Sequence, residues 1–267
     1  MLLPVWCLSA LVFAAGPQPA SSPRERLAAL AAAVRDADYR GERSRLERLA
    51  AELDALDAAD LTAYRRYWQG FASWRRALNG FNETPWPSDL QQDLEAAVAS
   101  FRAALAARPG WIEAKVGVVG CQASLLYLAR EDPVRRDALR SEYVPLFREM
   151  AAEGEENPRV LWLVGGAQLM APPPYGGDAR KAAATLGRGV GAARHEALAH
   201  PGGQGYVPAW GGPENLMSLA WLFSHSALED RSAALGCADA GLAWEPDWHY
   251  LRDVLREQIL TMPEAGR

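Results

Sequence analysis

The chain is short of the residues on which most protein chemistry depends. It has 3 Cys and 4 His among 267 residues. Three cysteines cannot staple a chain of this size, which excludes a disulfide-dense scaffold. Positive charge is not in excess either, with 28 Lys+Arg against 33 Asp+Glu and a net charge of −5. Phosphate contacts need clustered basic residues, so no nucleic-acid partner is expected. No G-x-S-x-G elbow and no G-x-x-x-x-G-K-[ST] loop occurs, so serine hydrolysis and phosphate cradling lack their usual signatures. Alternating strand patterns are missing too. The best β-like fragment, Val116 to Val119, lies inside a helical segment.

Two motifs look chemical and lack the geometry. His195-Glu-Ala-Leu-Ala-His200 places its histidines five apart. A zinc-binding helix needs a spacing of four to keep both on one face. Pro201 and Gly202 follow, so both histidines are expected in a surface loop. Gly187-Arg-Gly-Val-Gly191 follows no strand and reads as close helix packing or a helix end. No metal, cofactor or catalytic group is expected, and an enzyme would require a convergence of His and carboxylates that the linear order does not reveal.

What is present is helix. The chain is 49% hydrophobic and 23% charged, a globular composition. Apolar residues recur at three and four, as in Leu46-Leu49-Leu53-Leu56 and Leu90-Leu94-Val98-Phe101-Leu105, which is the helical period. Pro23, Pro133, Pro158, Pro213 and Pro246 stand where a first helical residue belongs, since the missing N–H costs nothing there. Ser22, Asp132, Asn157 and Asp178 supply cap oxygens, and Ser22/Glu25 and Ser88/Gln91 have capping-box spacing. These signals predict ten or eleven helices, the last over 246–261, joined mostly by short connections. The longer connections are 79–87, 171–178 and 195–212.

Residues 2–15 form the one long apolar run. It suits a signal-peptide core and is shorter than the ~20 residues of a spanning helix. Residues 1–20 are therefore read as an export signal, which predicts a periplasmic or secreted chain with no stable membrane span after cleavage. A docked N-terminal helix and an uncleaved anchor are the alternatives. Export would leave Cys121 and Cys237 free to pair, but each sits among apolar helical residues and reads first as a buried thiol.

Ala97, Phe101, Ala104 and Pro109 are spaced four, three and five. Ala182, Leu186 and Gly189 repeat the first two gaps, as do Ala233, Cys237 and Ala240 ahead of Pro246. Small residues at the first and third positions allow close helix approach, and the larger middle residue fills the groove between hairpins. In these positions the chain resembles a tetratricopeptide-repeat protein. The resemblance covers about residues 88–261, with helices over 21–87 as a cap or degenerate repeats. It implies an all-α fold of antiparallel helix hairpins stacked as a short right-handed α-solenoid with a concave face. A narrower likeness runs through Asn157-Pro158-Arg159, Pro173, Gly176-Gly177-Asp178, Trp210-Gly211 and Glu245-Pro246-Asp247-Trp248. It is to exported bacterial repeat proteins, some of them associated with substrate-binding components of TRAP-type transporters.

Of the 10 Trp, those at 68, 74, 111, 162, 221 and 248 fall on helical stripes and are expected in the core, while Trp86 and Trp210 fall in loops. If the loops 171–178 and 195–212 share one side, Tyr175, Tyr206, Trp210 and Asn215 would line a rim, with Arg159 reaching an acidic group on a partner. The expected function is a non-enzymatic scaffold that binds a protein or peptide in its concave groove. The alternative is a small-molecule binder or transport accessory using the same two loops.

Overall fold

A computed structural model describes residues 21–200 and 204–263. The expected signal, residues 1–20, and the break at Pro201-Gly202 lie outside the described residues. Among these, the chain is all-α and no strand occurs. The helices are α1 Pro23–Tyr39, α2 Arg43–Ala55, α3 Thr62–Gly80, α4 Leu90–Ala107, α5 Ile112–Leu128, α6 Pro133–Glu153, α7 Pro158–Met170, α8 Ala179–Ala199, α9 Gly212–His225, α10 Arg231–Trp244 and α11 Arg256–Leu260, the last preceded by a π-helical turn, Tyr250–Leu255.

Four of the expected cap residues do cap their helices. Ser22 and Glu25 form a reciprocal capping box, and the side chains of Asp132, Asn157 and Asp178 accept from the first free N–H groups of their helices. Pro23, Pro133, Pro158 and Pro213 occupy the first turn. Two starts differ. Ser88 caps nothing; Asp89 precedes α4 without a capping bond, because Arg43 (2.5 Å) and Arg76 (2.6 Å) take its carboxylate. Pro246 lies in a turn, with Trp248 N–H donating to Glu245 O at 3.2 Å, so the last helix begins later than its proline suggests. Helix α8 runs to Ala199, five residues beyond the expected 194, and carries His195 out of the loop and onto the helix.

Each helix packs on the next, and α1 on α3, α3 on α5, α5 on α7 and α7 on α9. The small–large–small positions do what their sizes allow. Ala97, Phe101 and Ala104 are fully buried; a Cβ added at Gly117 of α5 would run into the Phe101 ring, and one at Gly70 of α3 would press on it at 3.1 Å. Leu186 of α8 fills the space left by Gly165 of α7 in the same way. Pro109 sits in the turn after α4. In α10 the buried small face is Ala234, Ala238 and Gly241, one residue on from the expected Ala233, Cys237 and Ala240. The reason is Leu251, whose Cδ2 lies 2.6 Å from where a Gly241 Cβ would stand. This register also sets Pro246 five residues after the last small position.

One core joins α1 through α5 to Met150, Val160, Tyr206 and Trp210. It is continuous across residue 87, where the N-terminal helices were expected to end. Smaller clusters seat α8 on α9 and α10 on the C-terminal turn. Cys121 is buried in the first core and Cys237 is half-buried between the other two; both are free thiols. The end of α1 meets α9 and the turn after α10: the Tyr39 hydroxyl donates to Glu214 at 3.0 Å, Arg40 pairs with Asp247 at 2.6 Å, and the Tyr39 and Trp248 rings meet edge to face.

Candidate functional site

Helix α3 presents Tyr67, Trp68, Phe71 and Trp74 inward, and the segment Gln204–Gly211 lies across them. Trp68 Nε1 donates to Tyr206 O at 2.6 Å, and Trp210 Nε1 to the Tyr67 hydroxyl at 2.7 Å. The Trp210 ring meets Phe71, Trp74 and Trp162 at centroid distances of 5.4, 5.8 and 5.6 Å. Trp210 is 2% exposed and Tyr206 6%. The face of α3 that carries these rings is thus covered by the chain's own segment. The segment turns into α9 at Gly211, whose φ of +115° no L side chain adopts easily and whose Cα faces Arg159 and Pro158.

A buried charge sits within this cluster. The Arg75 guanidinium lies 4.6 Å from the ring centroids of both Phe71 and Trp210. It pairs with Glu214 at 3.0 Å and Asp38 at 3.5 Å. Glu214 also accepts from the Tyr39 hydroxyl and from Gly211 N–H, and Asn79 donates to Asp38 at 3.0 Å. Two carboxylates share one guanidinium. Burial pushes the Asp38 carboxyl up to about 6; Arg75 opposes this and Glu214 adds to it. Nearby, burial raises Glu245 to about 7 against the pull of Arg35.

On the outside, α8 and the start of α7 enclose an open groove of about 640 Å³. Its lining carries Glu155, Glu156 and Glu196 together with Arg188, His195 and His200, and Arg188 donates to Glu155 O at 2.9 Å. Arg159 forms the floor, 4% exposed, with Glu113 at 2.6 Å and Glu196 at 3.0 Å. Burial works against its charge, but the two carboxylates outweigh it and raise its pKa further. Its Nη1 donates to Trp210 O at 2.8 Å, which ties the groove floor to the plugged interior.

The five expected binding residues are not on one rim. Arg159, Trp210 and Asn215 do meet, but as structure: Asn215 donates to Pro158 O at 2.9 Å and Gly211 O at 2.6 Å and is fully buried. Tyr206 packs on Tyr64 in the core. Tyr175 alone is open, 71% exposed beside Arg140. Their aromatic and loop character was legible, but burial depends on α3, a partner more than 130 residues away. Sequence reading missed Arg75, Asp38 and Glu214. Their only local signal is a charge set beside an apolar stripe, as in Trp74-Arg75.

The four histidines divide. His195 and His200 line the groove, His225 stacks on Trp221 at 4.7 Å, and His249 pairs with Asp253 at 2.8 Å. Among the described residues no group of three His, Cys, Asp or Glu could hold a metal ion, and no helix is long and apolar enough to cross a membrane. Comparison with protein-family models, curated proteins and solved structures finds no significant match.

Proposed function

We propose that the chain is a non-enzymatic, exported helical-repeat scaffold of the tetratricopeptide kind, and that it binds a segment of a partner protein. The observation that carries the reading is the groove of about 640 Å³ between α7 and α8, open to solvent and lined by acidic and basic side chains. A chain segment with charges of both signs complements such a surface, and complementary charge steers encounter and sets register. The packing of helices on their next-but-one neighbours, with small–large–small contacts, supports the repeat reading. The apolar run at residues 2–15 supports export to the periplasm or beyond. With that face of α3 covered, the partner is assigned to the groove between α7 and α8.

Glycine gives a clean test. A Cβ at Gly191 in the groove, or at Gly236 on α10, meets no atom within 4 Å. Gly191→Trp therefore fills the groove without disturbing the core, and Gly236→Trp is its control. A partner captured from native envelope extract should be retained by wild type and Gly236→Trp and lost with Gly191→Trp. Equal capture by all three would remove the groove from the function.

A further inference from the structure

Helix α8 is out of balance with the chain that carries it. The whole protein has a net charge of −5, yet α8 holds Arg180, Lys181, Arg188 and Arg194 against a single acidic residue, Glu196. Glu196 is already engaged by Arg159 at 3.0 Å. Arg180, Ala184, Gly187, Gly191, Arg194 and Leu198 recur at intervals of three and four, so they share one face, and each of them is exposed. The opposite face, with Ala182, Leu186, Gly189 and Val190, is buried. At 1.5 Å per residue the outer face is a ridge about 27 Å long from Arg180 to Leu198.

The cations of this ridge are left without counter-charges. Arg24, Arg40, Arg66 and Arg102 elsewhere on the surface each pair with a carboxylate, but Arg180, Arg188 and Arg194 form no ion pair among the described residues. Lys181 reaches Asp178 Oδ2 only at 4.0 Å, and Asp178 Oδ1 caps the helix. Arg140 of α6, also without an ion pair among the described residues, lies 5.7 Å from the Tyr175 ring just ahead of α8. Bare apolar side chains gather at the same helix. Among the described residues Val134, Met170, Tyr175 and Leu198 are the large apolar side chains at least 70% exposed. All but Val134 flank α8, with Met170 and Tyr175 before its first turn and Leu198 in its last.

We propose that the outer face of α8 docks the folded chain onto the surface of a bilayer rich in anionic phospholipids. Charge complementarity selects the occupant: a row of unpaired cations with no facing carboxylate on its own helix attracts phosphate head groups. Shape selects a plane, because the outer face of a packed helix is a convex ridge. Leu198 at one end and Met170 and Tyr175 at the other supply the apolar contacts at the boundary of head groups and acyl chains, as in helices that lie along an interface. Ala184 and Gly187 between them are short, and the space at the Gly187 Cβ is open, so head groups reach the flanking arginines. The contact is peripheral and needs no spanning helix. Arg180, Lys181, Arg194 and Leu198 do not line the α7–α8 groove, so the site depends neither on that groove nor on the repeat reading.

The probes are vesicles of phosphatidylcholine alone and of phosphatidylcholine with an equal part of phosphatidylglycerol, read by co-sedimentation of the full chain. The anionic vesicles should bind at least about tenfold more tightly than the neutral ones. That preference should vanish towards 1 M salt, where the Debye length shrinks to ~3 Å. Arg180→Glu with Arg194→Glu removes two cations, each a factor of about five, and should weaken binding to the anionic vesicles at least about 25-fold. Arg26→Glu with Arg48→Glu makes the same change of net charge at exposed positions of α1 and α2, and should leave binding within about twofold of wild type. Leu198→Ser should weaken it by roughly threefold. Residues 2–15 are common to every variant, so the differences read α8. Equal binding of neutral and anionic vesicles, or equal loss in the two double variants, would overturn the proposal. Binding of polyglutamate but not of vesicles, lost with Arg180→Glu and Arg194→Glu, would assign the ridge to an acidic protein segment and overturn it as well.

Discussion

Replacing Trp210 with alanine separates the two roles this loop tryptophan could have. On a binding rim its loss would leave folding untouched. In the structure it is a plug, and the loss can be worked out. Truncating a buried Trp costs roughly 3–5 kcal/mol in transfer and cavity terms. The Tyr67 hydroxyl loses its donor partner, at about 1 kcal/mol. The Arg75 guanidinium loses one of the two faces it lies 4.6 Å from, at about 1 kcal/mol or somewhat more in a desolvated site. These contributions overlap, so the expected total is about 5 kcal/mol. A natural domain has only about 5–15 kcal/mol in all. Urea unfolding should show a midpoint lowered by more than 1 M with the slope unchanged, or no cooperative transition at all. Trp210→Phe keeps an aromatic ring but loses the donor and part of the indole's volume, and should fall by roughly 2–3 kcal/mol, less than Trp210→Ala. Tyr175→Ala, at a side chain 71% exposed, should stay within about 0.5 kcal/mol of wild type. A loss below about 1.5 kcal/mol for Trp210→Ala, with Tyr175→Ala the more damaging of the two, would refute the plugged-interior account.

Stability should also depend on pH in an unusual direction. Asp38 and Glu245 have folded values raised to about 6 and about 7 from the ordinary 3.8 and 4.5. Between pH 4 and 7 the folded chain binds protons that the unfolded chain has released, so these two groups favour folding more as pH falls and lose that contribution as pH rises through 6–7. Asp38→Asn, which removes this titration, should flatten the slope of unfolding free energy measured from pH 4 to 6; an unchanged slope would contradict the assignment. Glycines should divide by their surroundings: Gly187→Ala and Gly191→Ala, with open space at Cβ, should each gain about 0.5–1 kcal/mol from helix propensity. Gly117→Ala, which would strike Phe101, should lose about 1–3 kcal/mol by overpacking, all read by thermal melting. Arg159→Met should lose about 3–5 kcal/mol in urea unfolding, because Glu113 is left as a buried charge without its cation.

Helix placement was legible because its causes are local. Ser22, Asp132, Asn157 and Asp178 cap their helices through atoms two or three residues away, so the order of residues suffices. Where those same local signals failed, a distant group had intervened. Arg43 and Arg76 draw Asp89 away from the start of α4, and Leu251 selects Gly241 as the small position of α10.

By itself, then, the sequence determined the all-α class, most helix boundaries and the pairing of small with large residues along α4 and α8, since period, cap and side-chain volume are properties of neighbours in the chain. Only the tertiary structure decided where Tyr206 and Trp210 go. Their burial depends on Tyr67 and Trp68, which lie 143 and 138 residues from the atoms they bond. It likewise decided that Arg75, Asp38 and Glu214 share one buried site. Whether a polar group is exposed, paired or stranded is a property of everything packed around it, and no local pattern carries that information.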